Sequence, residues 1–417
     1  MAEHQGSHTQ PVGAGKWWDD RLPIARGVKQ LILDYPTPKN LNYWWTFGSI
    51  LGAMLIVQIA TGLALSMHYV PNAGLAFDSV EMIRRDVNGG RLVQAVHSVG
   101  ASMFFLALYI HLARGMYYGS FKAPREALWL LGCTIFVLAI GTAFFGYVLP
   151  WGQMSYWAAT VITNIFAAIP VVGEPIMEWL RGGFAVDNPT LNRFFSFHYL
   201  LPFVIGGIVV LHIWALHVPG NNNPTGVEVR SSRDTISFSP YYLAKDLFAV
   251  VVFLIPVAWL AFFAPDILGH ADNFIPADPL VTPPEIVPEW YFLPFYAILR
   301  AIDFPIWFID SKLLGVIIFG ASIVVLFFLP WLDRSRTRSG RYRPLFRVFF
   351  WIFVVDFLML MYLGSRLPEG IYVTLAKLGV LYYFVYFLII LPLLSRYETP
   401  RPLPASISES VLRPARS

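Results

Sequence analysis

Charge is scarce in this sequence. Only 13% of its 417 residues are Asp, Glu, Lys or Arg, and 56% are hydrophobic. Soluble domains carry about a quarter charged residues, so a polytopic membrane protein is the starting expectation. Cysteine is nearly absent. The single Cys133 excludes a disulfide framework or a thiolate-held cluster within the chain. The net charge of +4 is small, and no basic run is interleaved with aromatics, which excludes a nucleic-acid groove. No cleavable leader is visible: the first forty residues are polar, with Trp17 and Trp18 beside charges. Residues 16–39 read as an interfacial segment lying on the membrane.

Long apolar runs are what the chain does have. A spanning helix needs about twenty apolar residues. Eight candidates occur, at 43–66, 95–114, 127–149, 194–217, 247–264, 313–331, 348–364 and 378–394. The expected fold is all-α, a membrane protein of eight transmembrane helices. The long connection 150–193 holds apolar stretches too short to span, read as interfacial helices, and 265–312 is rich in proline and acid. Eight spans put both termini on one side. That side carries 21 of the 30 Lys and Arg residues, which places both termini in the cytoplasm. The opposite face is the positive side.

Five of the nine histidines lie in or at the edge of spans: His97, His111, His198, His212 and His217. A lone buried histidine is usually structural, but here the spacing is regular. His97 and His111 are 14 apart, as are His198 and His212. On a helix, 14 steps leave two side chains about 40° apart and about 21 Å displaced along the axis. The second and fourth spans run in the same direction, so His97 is level with His198 and His111 with His212. Two neutral imidazoles at each level can ligate a haem iron from opposite sides, an arrangement suited to electron transfer. Gly48 and Gly62 on the first span, and Gly132 and Gly146 on the third, repeat the interval of 14. Glycine lets a flat macrocycle approach the backbone closely. The first four spans therefore read as a dihaem four-helix bundle.

Five segments carry a more specific likeness: GASMFFLALYIHLARGMYYGS around His111, GTAFFGYVLPWGQMSYWAATVITN at 141–164, LNRFFSFHYLLPF around His198, GNNNPTG at 220–226 and VPEWYFLPFYAILRA at 287–301. With these the chain resembles cytochrome b of the bc1 complex over about residues 40–405. The equal histidine intervals and the undivided chain are more like the bc1 branch than the b6f branch. The division this implies is an interfacial segment at 1–40 and the dihaem bundle at 41–245. A C-terminal four-helix domain with the PEWY loop follows at 246–395, and a cytoplasmic tail at 396–417.

The resemblance implies two b-type haems. His97 and His198 would hold the low-potential one near the positive side, and His111 and His212 the high-potential one near the cytoplasm. Arg114 and Arg193 match positions facing haem propionates, where a cation offsets a carboxylate at membrane depth; snorkelling is the plain alternative for each. Quinol oxidation near the positive side needs a proton acceptor beside an apolar pocket. Glu289 is one of several acids in its loop and could merely be solvated, but the PEWY match makes it the candidate acceptor. Tyr147 and Tyr296 match positions lining that pocket; otherwise they read as aromatic-belt residues. At the inner site, His217 and Asp246 can supply protons to a reduced quinone. Asn221 and Lys245 match polar positions there, although Lys245 and Asp246 could also be a helix-start charge pair.

The function implied is that of the catalytic b subunit of a quinol–cytochrome c reductase. Quinol would be oxidised at the positive-side site with its two electrons sent to different acceptors. One would cross the membrane to reduce quinone at the inner site, a proton-motive Q-cycle. The chain holds no cluster motif and no CxxCH, so a Rieske iron–sulfur protein and a cytochrome c1-type subunit would be separate chains. A homodimer, a ubiquinone-type quinone and a bacterial inner-membrane location complete the expectation. A proton-conducting transporter would leave the four intervals of 14 unexplained, and another dihaem anchor would not need the PEWY loop. Two departures stand out. Relatives commonly have arginine three residues before the first ligand histidine, where this chain has Gln94. Those sensitive to methoxyacrylate inhibitors usually have glycine at the position of Ala158.

Overall fold

The computed structural model describes residues 14–412, apart from 24, 25, 28 and 30–32. The expected interfacial segment at 1–40 lies partly outside these residues; within them, α1 spans Ala14–Arg21. The last five residues of the expected tail also lie outside. Eight apolar helices make up the body. They are α2 (Phe47–Ser66), α4 (Gly90–Tyr117), α5 (Glu126–Val148), α8 (Asn188–His217), α9 (Leu243–Phe263), α11 (Ser311–Phe327), α13 (Pro344–Gly364) and α14 (Ile371–Val385). Shorter helices lie between them, α3 (Ala76–Arg85), α6 (Gln153–Phe166), α7 (Gly173–Arg181), α10 (Leu293–Arg300) and α12 (Leu329–Leu332), and two follow the last, α15 (Leu391–Tyr397) and α16 (Ile407–Leu412). Seven of the helical runs are long and apolar enough to cross a membrane, and the eighth, α11, has 17 residues. α14 runs on through a wider-pitched stretch at Tyr386–Ile390 into α15.

Helix ends depart from the apolar runs for local reasons. α8 starts six residues before the apolar stretch because Asp187 and Thr190 form a reciprocal capping box, with Pro189 in the first turn. That start signal is polar and so escapes a hydropathy reading. α4 starts at Gly90, where a β-carbon would overlap the Ile83 carbonyl at the end of α3. Only glycine permits that approach.

Within the membrane, packing rather than water exclusion joins helices. α2 packs on α4 and α5 on α8, giving the two closest pairs of the first four spans. α9, placed by sequence with the C-terminal helices, packs on α4 and α2, with Val257 buried against Ile50, Met54 and Val99. The C-terminal half centres on α10, a short helix absent from the sequence reading. It packs on α13 and α11 and buries Phe295, Ala297 and Ile298. A two-stranded antiparallel ladder pairs β1 (Pro36–Pro38) with β2 (Thr235–Ser237). At one end of the C-terminal bundle, Arg343 is fully buried between Asp333 (2.5 Å) and Glu398 (3.0 Å). Lys122 reaches the same Asp333 at 3.0 Å. Two cations and two carboxylates thus balance where a lone buried charge would be costly.

Candidate functional site

His97 and His198 face each other, with ring centres 6.0 Å apart and ring planes at 85°. A metal held between two imidazole nitrogens by bonds of about 2 Å requires ring centres about 6 Å apart. The Nδ1 atoms are already engaged. His97 Nδ1 lies 2.9 Å from Thr61 Oγ1, and because that hydroxyl donates to the Val57 carbonyl (2.7 Å), its oxygen is left to accept from the ring. His198 Nδ1 lies 2.8 Å from the Thr142 carbonyl. Both rings therefore carry their proton on Nδ1 and leave the Nε2 lone pair uncommitted, the tautomer a metal ligand needs.

The four glycines have a sharper role than the expected approach of a macrocycle. A β-carbon at Gly62 would lie 3.1 Å from the His97 ring, at Gly132 3.2 Å from His212 and at Gly48 3.4 Å from His111; at Gly146 it would overlap His198. Each glycine on α2 or α5 thus seats one imidazole from α4 or α8. The repeated interval of 14 on all four helices follows from that antiparallel register.

At the other level, Arg114 approaches His111 Nδ1 at 3.2 Å, lies over the Trp45 ring and reaches the Ser120 hydroxyl at 3.3 Å. Its Nε is buried without a partner among the described residues. Arg193 donates to the Trp179 carbonyl at the end of α7 and is not among the residues lining the His97–His198 cavity.

That cavity has a volume of about 350 Å³. It is lined by both histidines and by Gly62, Gly146, Gln94, Tyr147 and Glu289. Burial pushes the Glu289 carboxyl up to about 7. Residues of α3 and of the 265–312 connection close one side of it, and that connection is stitched to the one at 150–193. Gln153 N donates to the Ile275 carbonyl (2.9 Å), Ala277 N to the Trp151 carbonyl (3.1 Å), and the Asn273 side chain accepts from Ser155 N (2.9 Å). A β-carbon on Gly152 would overlap Asn273. Tyr291 stacks flat on Phe105 at 4.1 Å, and its carbonyl accepts from the Tyr109 hydroxyl, which fixes the Glu289 segment to α4. Tyr296 is placed behind this segment: its hydroxyl donates to the Ile286 carbonyl at 3.0 Å, and Arg300 covers its ring. Ala158 is buried in α6 and is not among the cavity-lining residues.

At the inner end, Ser49 donates to Asp246 Oδ2 at 2.5 Å, while Oδ1 is buried with no partner among the described residues. Lys245 donates to the Leu41 carbonyl at 2.6 Å rather than pairing with Asp246. His217 lies against the Tyr35 ring at 4.2 Å. Asn221 is half-buried, and no side-chain hydrogen bond is made by it among the described residues, whereas Asn222 and Asn223 hold the surrounding turn.

Two family models match the chain: "Cytochrome b/b6/petB" over residues 32–220 and "Cytochrome b(C-terminal)/b6/petD" over 276–384. The chain belongs to the cytochrome b family. This cytochrome b is 58% identical to the "Cytochrome b" of Rickettsia prowazekii, over 95% of this chain and 98% of that one. It is 59% identical to the "Cytochrome b/c1" of Bradyrhizobium diazoefficiens, over 95% of this chain but only 57% of that longer protein. A solved "Hyperthermophilic respiratory Complex III" chain is similar with a TM-score of 0.84 at 34% identity, covering 91% of this chain and 98% of that one. With its membrane-spanning helices, this is an integral membrane cytochrome b. The sequence reading did not anticipate Thr61 and Thr142 as partners of the ligand-type histidines. The signal was a threonine next to, or a few residues before, a seat glycine, as in Thr61-Gly62 and Thr142 ahead of Gly146.

Proposed function

We propose that this cytochrome b is the dihaem, catalytic subunit of a quinol–cytochrome c oxidoreductase. The observation that carries the reading is the facing pair His97–His198, with Nε2 uncommitted on both rings, in one cavity with Glu289 and Tyr147. When bound, two b haems would supply one-electron conduction between two membrane levels. His97 and His198 would hold one and His111 and His212 the other, with Gly48, Gly62, Gly132 and Gly146 seating the four rings and Arg114 offered to a carboxylate.

Glu289 takes a proton from quinol at the positive-side site. Its carboxyl, raised to about 7 by burial, changes charge near neutral pH, which suits a proton acceptor that must be reset. Tyr147 shares the pocket, and Tyr296 holds the loop behind it. At the inner site, Asp246 and His217 deliver protons to quinone, while Lys245 and Asn221 orient it. One electron from quinol leaves to a Rieske iron–sulfur protein and on to a cytochrome c1-type subunit; the other crosses the membrane. The assembly is a homodimer in the bacterial cytoplasmic membrane, with both chain termini cytoplasmic and a ubiquinone-type quinone as substrate. A dithionite-minus-ferricyanide spectrum of the purified protein tests the haems, and quinol–cytochrome c reductase activity of the membranes tests the reaction. Absence of a b-type spectrum would leave the transporter reading standing.

Two expected results follow from the departures. Gln94 lines the cavity, and the arginine that also lines it, Arg84, is drawn to Glu81 (3.5 Å) and Asp266 (3.6 Å). Gln94→Arg adds a cation beside a site that becomes more negative on reduction. An interaction of about 1 kcal/mol would raise that haem's midpoint by on the order of 40 mV. A redox titration showing an unchanged or lower potential would contradict this.

Ala158 carries a β-carbon where inhibitor-sensitive relatives have glycine. Ala158 does not line the His97–His198 cavity, so its methyl meets a ligand only where that ligand extends beyond the cavity against α6; a methyl in such a closely filled contact costs about 1–3 kcal/mol, roughly 5- to 150-fold in affinity. Resistance to azoxystrobin-type compounds is expected, with sensitivity gained in Ala158→Gly. Equal, high sensitivity of reductase activity in both proteins would refute the steric argument.

A further inference from the structure

Within the C-terminal tail, residues 405–409 lie against a part of the molecule far from them in sequence. Asp234, at the foot of β2, is buried to 1% exposure. Its Oδ2 accepts from Arg230 N (3.1 Å), and its Oδ1 accepts from Ser408 N (2.9 Å) and the Ser408 hydroxyl (2.7 Å). Its own carbonyl accepts from Lys39 N (3.1 Å). One residue thus ties together the β1 segment, the α8–α9 connection and the tail. Beside Ser408, Ile407 is fully buried. The turn is closed by two bonds, Glu409 N to the Ser406 hydroxyl (3.0 Å) and Ala405 N to the Glu409 carboxylate (2.7 Å).

The segment knotted at Asp234 is the one that presents the inner-site residues. Tyr35, just before β1, lies on the His217 ring, and its carbonyl accepts from Phe238 N at 2.9 Å. Leu41, just after β1, accepts from Lys245 through its carbonyl. Beyond β2 the chain leads through buried Tyr242 to Lys245 and Asp246. A ladder of three residues per strand is not stable alone. It needs the anchors at its ends, and the tail supplies two of the donors on Asp234.

We propose that the C-terminal tail is a clamp on the inner quinone site: Ser408, by holding Asp234, sets the β1–β2 ladder and through it the placement of His217 and Lys245. The proposal rests on the inner-site reading above. Ser408→Ala removes the hydroxyl donor on Asp234 Oδ1 and keeps the backbone one, truncation removes both, and in either case the ladder spends less time in its binding-competent position. Apparent affinity then falls by the fraction lost.

The test uses the intact complex, with antimycin A as the inner-site probe. Ser408→Ala and a chain ending at Pro404 are expected to bind it about 3- to 10-fold more weakly. Hydrogen exchange should rise across 219–242, both haem signals should remain, and Ser408→Thr should restore affinity. Unchanged affinity and exchange in both variants would overturn the clamp while leaving the site. A wild-type complex that binds no antimycin would overturn the site reading itself, and the clamp with it.

Discussion

Replacing His111 or His212 with leucine is expected to erase one of the two b-haem signals and reduce quinol–cytochrome c reductase activity to background. Each ring would supply one of two axial bonds at its level, and leucine offers no lone pair. The second haem should survive, because its own seats are separate: Gly62 meets His97 and Gly146 meets His198, whereas Gly48 and Gly132 meet the mutated level. A potentiometric titration followed in the visible spectrum reads both components. Full occupancy of both after either substitution would end the assignment.

Glu289→Gln is expected to slow quinol oxidation roughly 10- to 100-fold, within the range of general-base effects. The amide keeps the shape of the group but cannot accept a proton. The pH dependence gives a second readout. With its carboxyl raised to about 7 by burial, Glu289 is mostly protonated and unable to accept below that pH and ionised above it. Wild-type oxidation should therefore rise through neutrality, and the variant should lack that limb. Equal rates, or the same pH limb in both proteins, would remove Glu289 from the proton path.

The spans were legible because each is a long run of apolar residues, and their positions survive in the structure with ends shifted by polar caps such as Asp187–Thr190. The histidine and glycine intervals were legible because helical geometry converts a spacing of 14 into one face. What the sequence did not disclose depends on contacts between distant segments. The Trp151–Ala277 and Gln153–Ile275 bonds join two loops more than a hundred residues apart, with no periodicity to mark them. Tyr296 carries a family motif, yet its hydroxyl goes to a backbone carbonyl behind the pocket. Asp246 and Lys245, read as inner-site residues, left a helix-start charge pair open as the alternative; the folded chain gives Asp246 a serine and Lys245 a carbonyl. The short helix α10 is apolar on most sides because it is enclosed by protein, and its eight residues are too few to announce themselves.

On the proposed dihaem reading, the glycine–histidine register also fixes a voltage divider. Fourteen residues separate the two levels on α4 and again on α8, which is about 21 Å of axial rise in a hydrocarbon core of about 30 Å. Charge moved between the levels therefore crosses about two thirds of the dielectric. At 100 mV that is work of about 1.5 kcal/mol per electron against the field. Lengthening the interval on one helix by a single residue would not tune this fraction. It would swing a ring by about 100° off its glycine seat, so the divider can change only if all four helices change together.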